Sequence, residues 1–288
     1  MNQKLKSKLC LIASMATFGT LAPFVRNISV SSGELALYRA VMASILIGIY
    51  LMVTHQKINI SKMGHDLPIL FLSGAAMGIN WILLFEAYKY TTVSVATLSY
   101  YFAPVIVTII CPFLFKEKMT KKQIICFVMS TVGLALVVGL TNLGGGSSDT
   151  LGIIFGLGAA CFYATVIILN KYIKNVSGIH RTLLQFLAAV IVLIPYVTVT
   201  SGVNLGSMRT MGWICLFIVG VVHTGICYCL YFSSLKDLTG QQAAILSYID
   251  PLVAVVISVV VLGEVITASQ LIGGILILGF TLWNEIGN

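Results

Sequence analysis

Charge is what this 288-residue chain has least of: 9% of its residues are Asp, Glu, Lys or Arg, against about 25% in an ordinary soluble domain. Acidic residues are scarcest, nine against 17 Lys and Arg. So few charges cannot cover a water-facing surface, which excludes a soluble globular protein, and the high apolar content excludes a disordered one. Proline is sparse, at six residues, and polar stretches are too short to fold as a separate soluble domain. The seven cysteines, Cys10, Cys111, Cys126, Cys161, Cys215, Cys227 and Cys229, sit in or beside apolar runs. They show no metal-ligand spacing and no extramembrane pair for a bridge, and read as packing residues. HExxH, paired-aspartate and nucleophile-base spacings are absent too, so the expectation is a protein that is not an enzyme and uses neither metal nor cofactor.

What the chain has in excess is apolar length. Hydrophobic residues make up 58% and the mean hydropathy is +1.01. Runs near twenty residues predict ten membrane helices, at about 9–28, 34–54, 67–87, 92–115, 122–140, 151–171, 181–200, 209–233, 241–262 and 268–286. Membrane β-strands would instead alternate over about ten residues. The expected fold class is therefore an all-α membrane protein.

The net charge of +8 points to the membrane rather than to nucleic acid. With the N-terminus inside, 13 of the 17 basic residues fall on the cytoplasmic side, from Lys4, Lys6 and Lys8 through Lys116, Lys118, Lys121 and Lys122 to Lys236. Arg26, Lys89 and Arg209 fall outside, and Arg39 lies within the second span. That asymmetry predicts an even number of spans with both termini cytoplasmic. Lys4, Lys6 and Lys8 resemble the start of a signal peptide, but no small-residue cleavage site follows and the apolar pattern continues.

A shift of 147 residues lays LLFEAYK at 83–89 on LYFSSLK at 230–236, and Ala96, Tyr101 and Pro104 on Ala243, Tyr248 and Pro251. Glu117, Thr120 and Gln123 then fall on Glu264, Thr267 and Gln270. The predicted units are a first five-helix copy at 1–142, an external Gly/Ser linker at 143–150 and a second copy at 151–288. Five helices is an odd number, so the second copy is expected upside down, the two enclosing a central cavity. Loop charge agrees, since KEKMTKK in the first copy corresponds to the lysine-free LGEVITAS in the second.

Two five-helix copies, an arginine in span two within ALYRAV, a proline in the fourth helix of each copy and the P…E closing pattern resemble the EamA-type members of the drug/metabolite transporter superfamily. The resemblance covers essentially the whole chain. It implies a secondary transporter in a bacterial plasma membrane, usually an exporter of amino acids or other small metabolites.

The candidate transport residues follow from depth and chemistry. Asp250 lies near the middle of its span, where a carboxylate costs about 2.5–3.5 kcal/mol. It reads as the group that binds a substrate amine or carries a coupling proton, or as a structural partner of Arg39. Arg39 reads as a carboxylate receptor, or as an anchor for backbone carbonyls and Asp250. Together they suggest a zwitterionic small-molecule substrate, unless they pair with each other. Pro104 and Pro251 remove helix amides at matching points and are predicted hinges. Asn80, Trp81, Tyr100, Tyr101, Tyr228 and Tyr248 lie at similar depth and are candidate pocket residues. His223 is the candidate proton relay, with a bond to a neighbouring helix as the alternative. Glu86 and Lys89 read as a local pair. Thr120/Gln123 and Thr267/Gln270 are predicted capping boxes, with Glu117 and Glu264 near the same helix starts. The Gly273, Gly274 pair and Cys126 read as close-packing sites that leave room for a homodimer. An uncoupled facilitator and a non-transporting sensor are the competing functions.

Overall fold

The structure is a computed structural model that describes residues 3–56, 64, 66–115, 120–138, 148–176, 178–235, 237–238, 246–247 and 249–286. Among these residues there are helices and turns and no strand. The chain runs α1 Gln3–Gly19, α2 Leu21–Arg26, α3 Ser32–Val53, α4 Leu67–Tyr90, α5 Val93–Tyr100, α6 Ala103–Phe115, α7 Lys121–Val138, α8 Ser148–Tyr172 and α9 Gly178–Thr200. After a short 3₁₀ turn come α10 Thr210–Phe217, a wide π-type segment Ile218–Ile226, α11 Cys227–Leu235, α12 Ile249–Val260 and α13 Ala268–Glu285. Of the predicted Gly/Ser linker at 143–150, residues 143–147 lie outside the described residues and Ser148 begins α8.

Six apolar helical stretches are long enough to cross a bilayer: Gln3–Arg26, Ser32–Val53, Leu67–Tyr90, Asp149–Tyr172, Gly178–Thr200 and Thr210–Tyr231. At 1.5 Å per residue each exceeds the roughly 30 Å hydrocarbon core. Shorter apolar helices cover Val93–Val107, Ile249–Val260 and Ala268–Asn284. Large apolar side chains such as Ile45, Met52, Phe71, Ile191 and Val199 are exposed on the outside of the bundle. In water that surface would aggregate; in lipid it is the expected solvent-facing surface of an integral membrane protein.

Local sequence sets the helix ends. Thr120 and Thr267 accept from the amides of Gln123 and Gln270 at 3.2 Å, and each glutamine answers the threonine amide, so both capping boxes form. Ser31 and Glu34 make a third at the start of α3. The predicted fourth helix is broken: α5 ends at Tyr100 and α6 begins at Ala103, because Pro104 in the first turn of α6 cannot donate to the carbonyl of Tyr100. Pro251 occupies the first turn of α12.

The two copies interlock, and their contacts come in matched pairs. The first helix of each copy packs on the third and fourth of the other: α1 on α11 and α12, α8 on α4 and on α5–α6. The second helix of each packs on the third of the other, α3 on the π-type segment and α9 on α4. Equivalent helices also meet: α3 with α9, α5 with α12, α7 with α13. Two of these pairs run antiparallel. Ser94 of α5 bonds Ser258 of α12, while Tyr101 after α5 bonds Asp250 near the start of α12. Lys122 at the start of α7 reaches the carbonyl of Asn284 at the end of α13, and Gly133 meets Gly273 further along.

The α7–α13 crossing uses the glycines within the chain. A Cβ on Gly133 would lie 2.7 Å from the Gly273 carbonyl oxygen and 2.9 Å from Cβ of Leu276, and one on Gly274 would press on Leu98. We expect Gly133→Val to lower the Tm of the detergent-solubilised protein by about 5–10 °C through forced helix separation. Gly48→Val, at a helix position where an added Cβ meets nothing within 4 Å, is the matched control and leaves Tm close to that of the parent.

Candidate functional site

Arg39 is 3% exposed at the centre of the bundle, held by α3. Its Nε donates to Thr224 Oγ1 at 3.1 Å, and its guanidinium lies 4.4 Å from the centre of the Trp81 ring and 5.3 Å from that of Phe85. The ion pairs among the described residues are Arg26–Glu264 and Lys89–Glu86, so Arg39 and Asp250 are not joined. Among the described residues no hydrogen bond is made by either Nη of Arg39, the two nitrogens whose parallel N–H groups fit a carboxylate.

Asp250 has a different partner. Tyr101 donates to its Oδ2 at 2.5 Å across the α5–α12 seam, placed there by the chain break before Pro104. Tyr88, Tyr100 and Tyr228 stand within electrostatic reach of both Arg39 and Asp250. Tyr100 packs edge-on to Tyr101 at 5.7 Å and stacks on Tyr163 at 5.3 Å; Tyr228 is wedged between Phe18 and Phe186, each 5.2 Å away. Tyr100, Tyr101, Tyr228 and Asp250 are enclosed by neighbouring helices yet half-buried rather than sealed.

The remaining sequence-nominated residues divide. Trp81 is brought to Arg39. Asn80 is not: its amide donates to the Ala159 carbonyl at 2.6 Å, tying α4 to α8. His223 bonds Thr20 at 3.1 Å and the Ile218 carbonyl at 3.3 Å, beside Phe24. It is engaged by the α1–α2 junction rather than turned to Asp250. Tyr248 lies outside the described residues. Glu86 and Lys89 pair at 3.0 Å as expected. Glu264 requires a correction. Instead of serving the start of its own following helix, it reaches the other copy, where the backbone amides of Val93 and Ser94 at the start of α5 donate to it.

Sequence reasoning missed the π-type segment that presents Thr224. There Thr224 Oγ1 donates to the Val219 carbonyl five residues back, at 2.8 Å, and in turn accepts from Arg39. A signal for it exists. Leu70, Phe71 and Gly74 match Leu216, Phe217 and Gly220 at a shift of 146, whereas Gly78 and Ile79 match Gly225 and Ile226 at 147. One extra residue between Gly220 and Gly225 is what widens a helical turn, and such bulges favour functional positions.

A cavity of about 730 Å³ opens at the end of the bundle that carries Arg26, Lys89, Thr91, Asp149 and Glu264. Phe85 and Tyr88 line it and also stand beside Arg39, so aromatic rings separate this vestibule from the buried guanidinium. Its volume suits a small solute.

A helical bundle with an apolar exterior, two interlocked copies and buried polar groups among them defines an integral membrane protein of transporter type. The EamA-like transporter family profile matches residues 5–139 and 150–284, and the chain belongs to that family. It is 30% identical to the uncharacterized transporter YxxF of Bacillus subtilis (strain 168) over 91% of this chain and 83% of that protein. An uncharacterized transporter of Clostridium kluyveri is 26% identical over 89% of this chain and 86% of its own length. One of Archaeoglobus fulgidus is 31% identical over 69% and 70%. A solved crystal structure shares the fold at a TM-score of 0.66 and 15% identity, covering 96% of this chain and 95% of its own.

Proposed function

We propose that the protein is a secondary transporter that moves a small zwitterionic solute, such as an amino acid, by alternating access, with Asp250 as the coupling carboxylate. The observation that carries this reading is the separation of the buried Arg39 from the half-buried Asp250. Arg39 is held by Thr224, Trp81 and Phe85 with both Nη groups unclaimed by the described residues, while Asp250 is held by Tyr101. A guanidinium buried without a counter-ion is costly and calls for an anion. A substrate carboxylate on Arg39 and its ammonium toward Asp250 would satisfy both charges among the surrounding tyrosines.

Alternating access is supported by the architecture. The pairing of contacts under exchange of the two copies, and the antiparallel course of α5 with α12 and of α7 with α13, are what inverted repeats produce. The break at Tyr101–Phe102 supplies the hinge before Pro104, and Pro251 is its counterpart in α12. Orientation with both termini cytoplasmic, residence in the plasma membrane and outward transport belong to the same proposal, supported by the basic residues at the predicted inner face.

The test is a thermal-shift screen of purified protein against amino acids, amines, nucleosides and organic acids, followed by uptake of the hit into proteoliposomes with and without a pH gradient. Zwitterions should raise Tm, by about 2.7 kcal/mol of stabilisation at a hundredfold excess over Kd. The corresponding amines and acids alone should act more weakly. Stabilisation by nucleosides and not by amino acids would overturn the substrate class.

A further inference from the structure

The second copy of the Pro-x12-Glu pattern ends in a contact that its spacing does not announce. Helix α12 stops at Val260, and Gly263, with φ of +66°, turns the chain out of the helix axis. The left-handed conformation suits glycine and strains other residues. That turn, closed by the Glu264 amide bonding the Ser258 carbonyl at 3.0 Å, points the Glu264 side chain into the other copy. There its oxygens accept from the Val93 amide at 2.9 and 3.0 Å and from the Ser94 amide at 3.4 Å, while Arg26 Nη2 pairs with it at 2.8 Å. Arg26 also donates to the Thr91 carbonyl at 3.3 Å. A single carboxylate, 7% exposed, thus ties the end of α2, the start of α5 and the loop after α12.

The tie lies at the outer end of a seam. From Asp250 the α5–α12 contact runs through Tyr101–Asp250, then Ser94–Ser258, then Glu264 on the first turn of α5. Ser258 is fully buried beneath it, and Arg26 and Glu264 both line the vestibule wall. The carboxylate sits where the positive end of the α5 dipole and a guanidinium both favour it. For α5 and α12 to part on this face, these bonds must break together.

We infer that Glu264 is a latch that holds the outer end of the α5–α12 seam closed, releasing Arg26 and the α5 amides each time the seam opens. The inference rests on the alternating-access reading above, and its test is independent of any substrate. In a protein with its native cysteines replaced by alanine, Ser258→Cys reports opening through its reaction with a membrane-impermeant maleimide in proteoliposomes. With Glu264 present the reaction is slow. Glu264→Gln, which keeps shape but removes the charge, accelerates it about tenfold, as a coupling of roughly 1.4 kcal/mol does. Arg26→Gln, which leaves the α5 amides engaged, gives a smaller acceleration and decides the matter if Glu264→Gln does not accumulate. Rates within twofold of the parent in the variants that fold overturn the latch. Labelling that depends on Glu264 in a protein that moves no solute keeps the latch and removes the transporter reading; unchanged labelling with normal flux removes the latch alone.

Discussion

Replacing Arg39 by Gln should abolish the thermal shift produced by carboxylate-bearing solutes while leaving the ligand-free protein about as stable as before. The two outcomes are tied to one geometry. A helix anchor buried in an ion pair loses about 3–5 kcal/mol when one partner is removed. Arg39 has no ionic partner among the described residues; its contacts are the Thr224 hydroxyl and the faces of Trp81 and Phe85. Those are worth about 0.5–2 kcal/mol each, and desolvation of the guanidinium works against them, so truncation is expected to change apo stability by no more than about 1 kcal/mol. Binding is a different quantity. Losing a bidentate partner for a buried carboxylate costs about 2–5 kcal/mol, a rise in Kd of about 30-fold or more. Arg39→Lys should rescue little, since an ammonium offers neither the planar fork nor the Nε that Thr224 holds. Titration calorimetry and Tm measured on the same samples separate the roles: a large loss of apo stability with retained binding would make Arg39 a scaffold residue.

How much of this was legible in the sequence depends on the kind of information each feature carries. Apolar run length is written directly in composition, so stretches such as Leu67–Tyr90 and Gly178–Thr200 lie close to where hydropathy puts them. The break after Tyr100 was legible because a proline removes a specific amide. Threonine and glutamine three apart fix a local geometry, and both capping boxes formed. The extra residue near His223 and Thr224 escaped notice because it adds one apolar-run position without altering hydropathy; only the change of repeat shift from 146 to 147 betrays it. Asn80 shows a related limit. Depth in a span says that a polar group needs a partner, and the rotation of α4 gives it the Ala159 carbonyl. Glu264 was read locally because spacing reports only neighbours in sequence, whereas its partners Arg26 and Val93 come from the other copy.

The second large effect is expected at Asp250. Asn at this position can still accept from Tyr101, so α5 and α12 should remain joined and the protein should reach the membrane at normal levels. What disappears is a group able to take and release a proton at the α5–α12 seam. If one proton exchanges for one solute, a gradient of one pH unit, worth 1.36 kcal/mol, supports about a tenfold concentration ratio across the vesicle membrane. Asp250→Asn should abolish that accumulation and leave only flux that runs down the solute's own gradient, with a rate insensitive to pH. Asp250→Glu preserves the titratable group but moves it by one methylene, and should retain part of the coupling at reduced rate. Tyr101→Phe removes the hydroxyl without touching the carboxylate, so its pH–flux profile should shift while coupling persists, which distinguishes a residue that tunes the carboxylate from the one that carries the proton. Concentrative uptake that survives in Asp250→Asn would assign the proton to another group or remove coupling altogether, and the uncoupled facilitator would then be the better account of the same fold.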